Sequence, residues 1–172
     1  MLDGMRQLSD ADRAVSAVLL QQGGLITRPQ ILAAGLSDAA LRYRIRAGGP
    51  WRAVLPGVYL SSNGPLAGGQ REIATMLYAG RDCVITGFAA LEQQGVRVPV
   101  TGVIDVLIPA SCQRQSVAFI RVHRTASLPA PLAHGGIRWA PVARARVRTS
   151  CGASRSEVQH LLWRTRRKAT NG

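Results

Sequence analysis

The chain has 172 residues, 22 of them lysine or arginine against 9 acids, a net charge of +13 and a hydrophobic share of 47%. That length suits one domain or two small ones, and the apolar share excludes wholesale disorder. No run of about 18 apolar residues offers a transmembrane helix, and Met1–Gln22, broken by Asp3, Asp10, Asp12 and Arg13, lacks a signal-peptide core, so a cytoplasmic location is expected.

The first element is an amphipathic helix. Ala11, Ala14, Val15, Val18 and Leu19 follow helical spacing, Ser9 with Asp12 resembles a capping box, and Gly23-Gly24 stops the helix. A short apolar step, Leu25-Ile26, follows. A second helix starts at Thr27-Arg28-Pro29-Gln30, with Thr27 as N-cap and Gln30 reaching back to it. Ile31, Leu32 and Ala34 form its expected buried face, and Gly35 its left-handed C-terminal residue. The third helix has Ser37 as N-cap, Leu41 and Ile45 on one face, and Gly48-Gly49 at its end. Trp51–Val54 and Val58–Leu60, around Leu55-Pro56-Gly57, read as a hairpin whose Trp51 and Tyr59 pack onto the three helices. Helix, short strand, helix, turn, helix, hairpin is the order of a winged helix-turn-helix.

Residues 61–69, rich in Ser, Gly, Asn and Pro, form a linker. A helix fits Gln70–Ala79, with Ile73, Met76, Leu77 and Ala74 facing in. Cys83–Thr86 reads as a buried strand, Phe88–Gln94 as a helix ending at Gly95, and Val103–Pro109 as the strongest strand. Ala118–Arg124 alternates as a strand with one wet face, and Gly136–Trp139 is a candidate third. After Pro141 the pattern decays, because Arg144, Arg146 and Arg148 match no clean helical face, although Glu157–Trp163 suits a short helix. The expected fold is therefore α+β. A winged helix-turn-helix at residues 1–62 precedes a small α/β domain with a short mixed sheet at 68–144, and a basic, poorly patterned tail occupies 145–172.

The charge is uneven along these parts. Residues 1–60 hold seven arginines and four acids, residues 61–111 three and four, and residues 112–172 twelve basic residues and one acid. Excess positive charge points to a polyanionic partner, nucleic acid first. Three readings stand for the tail: an electrostatic arm on nucleic acid, a solvated end, or a frame-shifted terminus of a GC-rich gene, whose coding also explains why all basic residues but Lys168 are arginine.

The third helix carries the best candidate chemistry. With Leu41 and Ile45 inward, 100° per residue leaves Ala39, Tyr43 and Arg46 outward and Arg42 and Arg44 on the flanks. Arginine grips guanine edges or phosphates and tyrosine stacks or bonds a phosphate, while Ser37 and Ala39 are small enough for close approach. Arg28 and Arg52 are the expected phosphate contacts from the second helix and the hairpin. The competing reading is a solvated helix whose arginines reflect codon bias.

No enzyme signature, cofactor motif or phosphate loop is present. Cys83, Cys112 and Cys151 lack C-x-x-C spacing and do not join His123, His134 and His160 in a zinc pattern. A Cys112 thiol with His123 or His134 as base is the outlying enzymatic reading. Asp105 has no metal-nuclease partners and is read as hydrogen-bonded on the sheet's wet face.

Gln22–Ser37 and its continuation Arg46–Tyr59 resemble the N-terminal winged-helix domain of AbiEi-family antitoxins of type IV toxin–antitoxin systems. Ile85–Leu91, Ile104–Pro109, Val122–Thr125 and Gly136–Arg144 resemble the continuation in that family, so the likeness covers residues 10–144. It implies a non-enzymatic transcriptional autoregulator that represses its own operon. The implied partners are double-stranded operator DNA, contacted by Ser37–Arg46 and the Trp51–Tyr59 wing, and a functionally linked nucleotidyltransferase toxin. A homodimer on DNA is expected because one winged helix reads few base pairs. The chain departs from longer relatives in ending before a restriction-endonuclease-like domain, and in continuing as Ala145–Cys151 where relatives have an apolar, acid-containing helix. The alternative reading is thus a truncated remnant of a nuclease-associated protein, with a DNA-binding or interaction head and no regulatory role.

Overall fold

The computed structural model describes residues 9–149. The helix expected at Glu157–Trp163 and most of the basic tail lie outside the described residues. The fold is mixed α+β, with six helices and two sheets among the described residues, and the chain divides after Tyr78 into two compact units.

In the first unit, α1 (Asp10–Gln21) begins where the Ser9 hydroxyl accepts the Asp12 N–H and donates to the Asp12 carboxylate. It ends where Gly23 and Gly24 take positive φ and the Gly24 N–H reaches back to the Leu19 carbonyl. After β1 (Leu25–Thr27), α2 (Arg28–Ala33) opens with the expected capping box between Thr27 and Gln30. Its exit is a Schellman turn: Gly35 has φ +91°, the Leu36 N–H bonds the Ile31 carbonyl, and the Gly35 N–H bonds the Leu32 carbonyl. That turn brings Leu36 back beside Ile31 in the core, while Leu32 is 39% exposed. Leu36 therefore fills the place expected of Leu32, and Ala14 on α1 likewise faces solvent.

Then come α3 (Asp38–Ile45), β2 (Arg52–Leu55) and β3 (Val58–Leu60). β2 and β3 pair antiparallel around Pro56-Gly57, and β1 joins the free side of β3, giving the order β1-β3-β2. Val15, Ile26, Ile31, Leu36, Leu41, Trp51 and Tyr59 form one buried cluster. Both hairpin aromatics thus pack onto the helices, as the sequence suggested. The linker leads to α4 (Gln70–Ala79), where Ala74, Thr75 and Tyr78 are buried and Ile73, Met76 and Leu77 only partly so. The buried stripe is rotated from the expected one. Thr75 tolerates burial because its hydroxyl donates to the Arg71 carbonyl.

The second unit is built on β4 (Val84–Thr86), α5 (Gly87–Gln93), β5 (Ile104–Pro109), β6 (Ile120–Thr125), β7 (Leu132–His134), β8 (Ile137–Trp139) and α6 (Val142–Thr149). The sheet order is β6-β5-β4-β8-β7. β5–β6 and β4–β8 are parallel, while β4–β5 and β7–β8 are antiparallel. Val84, Ile85, Val106, Leu107 and Ile108 are fully buried, so both faces of the central strands are covered, as a continuous apolar run requires. Two elements were not expected: β7, and α6 across the arginine-rich stretch. The N–H groups of Arg144 and Ala145 both bond the Pro141 carbonyl, which starts α6, and Ala145 is buried.

Candidate nucleic-acid interface

α3 is held by its cap and its inner face. The Ser37 hydroxyl accepts the Ala40 N–H at 3.2 Å, Leu41 is 3% exposed, and Ile45 packs against the same core. The outer face presents Ala39, Arg42, Tyr43 and Arg46, all exposed. Tyr43 is 64% exposed, a large apolar surface to leave in water. The Arg46 guanidinium carbon stands 3.6 Å from the Tyr43 ring centroid, and Arg46 also donates to the Tyr43 carbonyl at 2.5 Å. The two side chains form a stacked cation–aromatic pair, which holds the Arg46 charge against the Tyr43 ring at the exposed face. Arg42 is exposed beside them, with no hydrogen bond or ion pair among the described residues.

Two of the arginines expected at this surface face carboxylates instead. Arg28, the first residue of α2, grips Asp38, the first residue of α3, in a two-point contact of 2.6 and 3.0 Å. That hydrogen bond, and then the charge of Asp38, raises the Arg28 pKa. Arg44 bonds Asp12 of α1 at 2.7 Å and the Ala40 carbonyl at 3.1 Å, and its guanidinium lies 5.6 Å from the Trp51 ring centroid. Arg44 therefore braces α3 against α1 and the hairpin. The Asp12 carboxyl is lowered by the Ser9 hydroxyl foremost, with Arg44 adding to the effect against opposing desolvation.

The hairpin is anchored to the same end of α2. Gly57, with φ +75° in the turn, accepts the Arg28 backbone N–H at 2.9 Å. Arg52 in β2 is half-buried, and its Nε is buried without a hydrogen-bond partner among the described residues. Thus Ser37, Ala39, Arg42, Tyr43 and Arg46 share one face or its cap, Arg52 lies on the neighbouring strand, and Arg28 and Arg44 are engaged internally. Sequence reasoning missed Asp38 and the pairing role of Asp12. Neither has a local signal, since their arginine partners lie ten and 32 residues away.

In the second unit the expected hydrogen bonding of Asp105 is present. His123 Nε2 lies 2.6 Å from Asp105 Oδ1, and Arg121 approaches the same oxygen at 3.7 Å. His123 thus pairs with a carboxylate on the next strand. Cys112 is half-buried, its carbonyl accepts Arg124 Nε–H at 3.0 Å, and His134 is an exposed residue of β7. Among the described residues no three metal-ligating side chains gather, and no helix is long and apolar enough to cross a membrane. No protein-family model and no curated protein matches the chain.

Proposed function

We propose that the first unit is a winged helix-turn-helix and that the protein is a DNA-binding transcriptional autoregulator, an antitoxin-like repressor of its own operon. α3 is the recognition helix of this reading, and the β2–β3 hairpin is its wing. The observation that carries it is the outer face of α3. Arg42 and the stacked Tyr43–Arg46 pair stand exposed on a helix whose other side is fixed in the core. Such a face offers donors to guanine edges and phosphates in the major groove. The element order and the resemblance of Gln22–Ser37 and Arg46–Tyr59 to AbiEi-family antitoxins support the same reading. Its partners are operator DNA and, through the operon, a nucleotidyltransferase toxin, and pairing of two copies on DNA extends the site.

The test is a mobility shift of the full chain with the gene's own upstream DNA across a salt series. Arg42→Ala/Arg46→Ala should weaken binding. The salt slope falls by about two if both arginines grip phosphate, whereas an arginine that reads a base instead costs roughly 1–3 kcal/mol at its own base position. A folded double variant that binds like wild type refutes the reading.

A further inference from the structure

Asp38 stands alone in its neighbourhood: between Asp12 and Glu72 it is the only acid in the chain. It occupies the first turn of α3, the helix whose outer face carries Arg42, Tyr43 and Arg46. A carboxylate there repels a phosphate backbone unless it is neutralised. Arg28 neutralises it through Nε to one oxygen and Nη2 to the other, the geometry in which guanidinium also grips phosphate. The pair is open to solvent, with Arg28 half exposed. Burial therefore does not account for it.

Resting on the DNA-binding reading, we propose that Asp38 is a specificity determinant. Its carboxylate occupies Arg28 in place of DNA phosphate, lowering affinity for DNA of any sequence. Binding then depends more on Arg42, Tyr43 and Arg46, which are placed to read bases. A carboxylate in a first turn also favours the helix dipole, but that role needs no Arg28 and leaves DNA affinity unchanged.

The experiment measures binding of the full-length protein to random-sequence duplex DNA across a salt series. Asp38→Asn should bind more tightly than wild type, with a salt slope steeper by about one, so its advantage shrinks about fourfold between about 50 and 200 mM salt. Asp38→Ser, which removes the charge with a different side chain, should behave alike. Arg28→Ala/Asp38→Asn should lose the steeper slope. If wild type binds and both folded single variants bind equally or more weakly, with no steeper slope, the inference fails while the DNA-binding reading stands. If neither wild type nor any variant binds duplex DNA, the DNA-binding reading fails and carries this inference with it.

Discussion

Replacing Gly49 with alanine tests the joint between α3 and the hairpin. After Ile45 the chain leaves the helix, turns through Gly48 at φ +69°, and enters β2. Gly49 sits buried inside that turn. Its N–H bonds the Arg46 carbonyl, its carbonyl accepts Asn63 Nδ2, and the nearby Trp51 N–H bonds the Arg44 carbonyl. A Cβ at Gly49 would overlap the Arg44 carbonyl oxygen and come within 2.9 Å of that of Arg46. Both obstacles are backbone, so no rotamer relieves them. Overpacking costs about 1–3 kcal/mol, and displacing the Arg44 carbonyl loses about 1 kcal/mol more with the Trp51 bond, a total of about 2–4 kcal/mol. Gly48 is the control: a Cβ there meets nothing, and only the left-handed φ is penalised, by about 1–2 kcal/mol. The assay is denaturant unfolding followed by Trp51 fluorescence, with Trp139 and Trp163 changed to Phe in every protein compared. A Gly49→Ala cost no greater than that of Gly48→Ala would refute this account of the turn.

The titrating groups give two further expectations. The Asp12 carboxyl is lowered in the folded state by the Ser9 hydroxyl and Arg44, so its contribution is present above the ordinary value of 3.8 and lost as pH falls through the folded one. Stability curves of wild type and Asp12→Asn should therefore converge as pH drops below 3.8, and parallel curves would contradict the assignment. Burial foremost pushes the Cys83 thiol up to about 12, so it stays protonated and shielded at neutral pH. In a Cys151→Ser background a thiol reagent should label half-buried Cys112 in the folded protein and Cys83 only on unfolding; prompt labelling of both would overturn this. Because the folded Cys83 value is raised, its contribution is whole below 9.0 and lost as pH climbs toward 12.

Local chemistry was the legible part of this fold. Thr27-Gln30, Ser37 and Gly35 act within three to six residues, and each caps or ends its helix as its side chain or φ demands. Trp51 and Tyr59 flank a Pro-Gly turn, and their burial follows from that hairpin folding back on an apolar surface. Elements defined by a partner were not legible. β7 is three exposed residues made a strand only by pairing with β8, and α6 hides behind alternating arginines because its described buried contact is one alanine. Within the candidate site, helical spacing correctly turned Ala39, Tyr43 and Arg46 outward. It put Arg44 on a flank, bordering the buried stripe where it lies, but could not name its partner 32 residues away. A long side chain at such a position can lay its stem along apolar surface, and here it passes Trp51 to reach Asp12.

Net charge is therefore a poor map of where a polyanion would be felt. Residues 9–60 hold six arginines and three aspartates, and each aspartate is paired: Asp10 with Arg13, Asp12 with Arg44, and Asp38 with Arg28. Close opposite charges cancel beyond a few ångströms, so the excess of three resides on Arg42, Arg46 and Arg52. Two of these lie on the outer face of α3 and the third on the adjacent strand. A modest excess gathered on one helix and one hairpin gives a steeper local field than the same charge spread over the surface. The larger excess, in residues 112–172, has most of its charge after residue 144, and the side chains described ahead of it include Arg121 and Arg124, already directed at Asp105 and at loop carbonyls. On the DNA-binding reading, removing Arg42, Arg46 or Arg52 changes association and its salt dependence, while removing Arg44 first loosens the packing of α3 on α1. Three arginines in a defined geometry, rather than the total charge, then set how the first unit meets a polyanion.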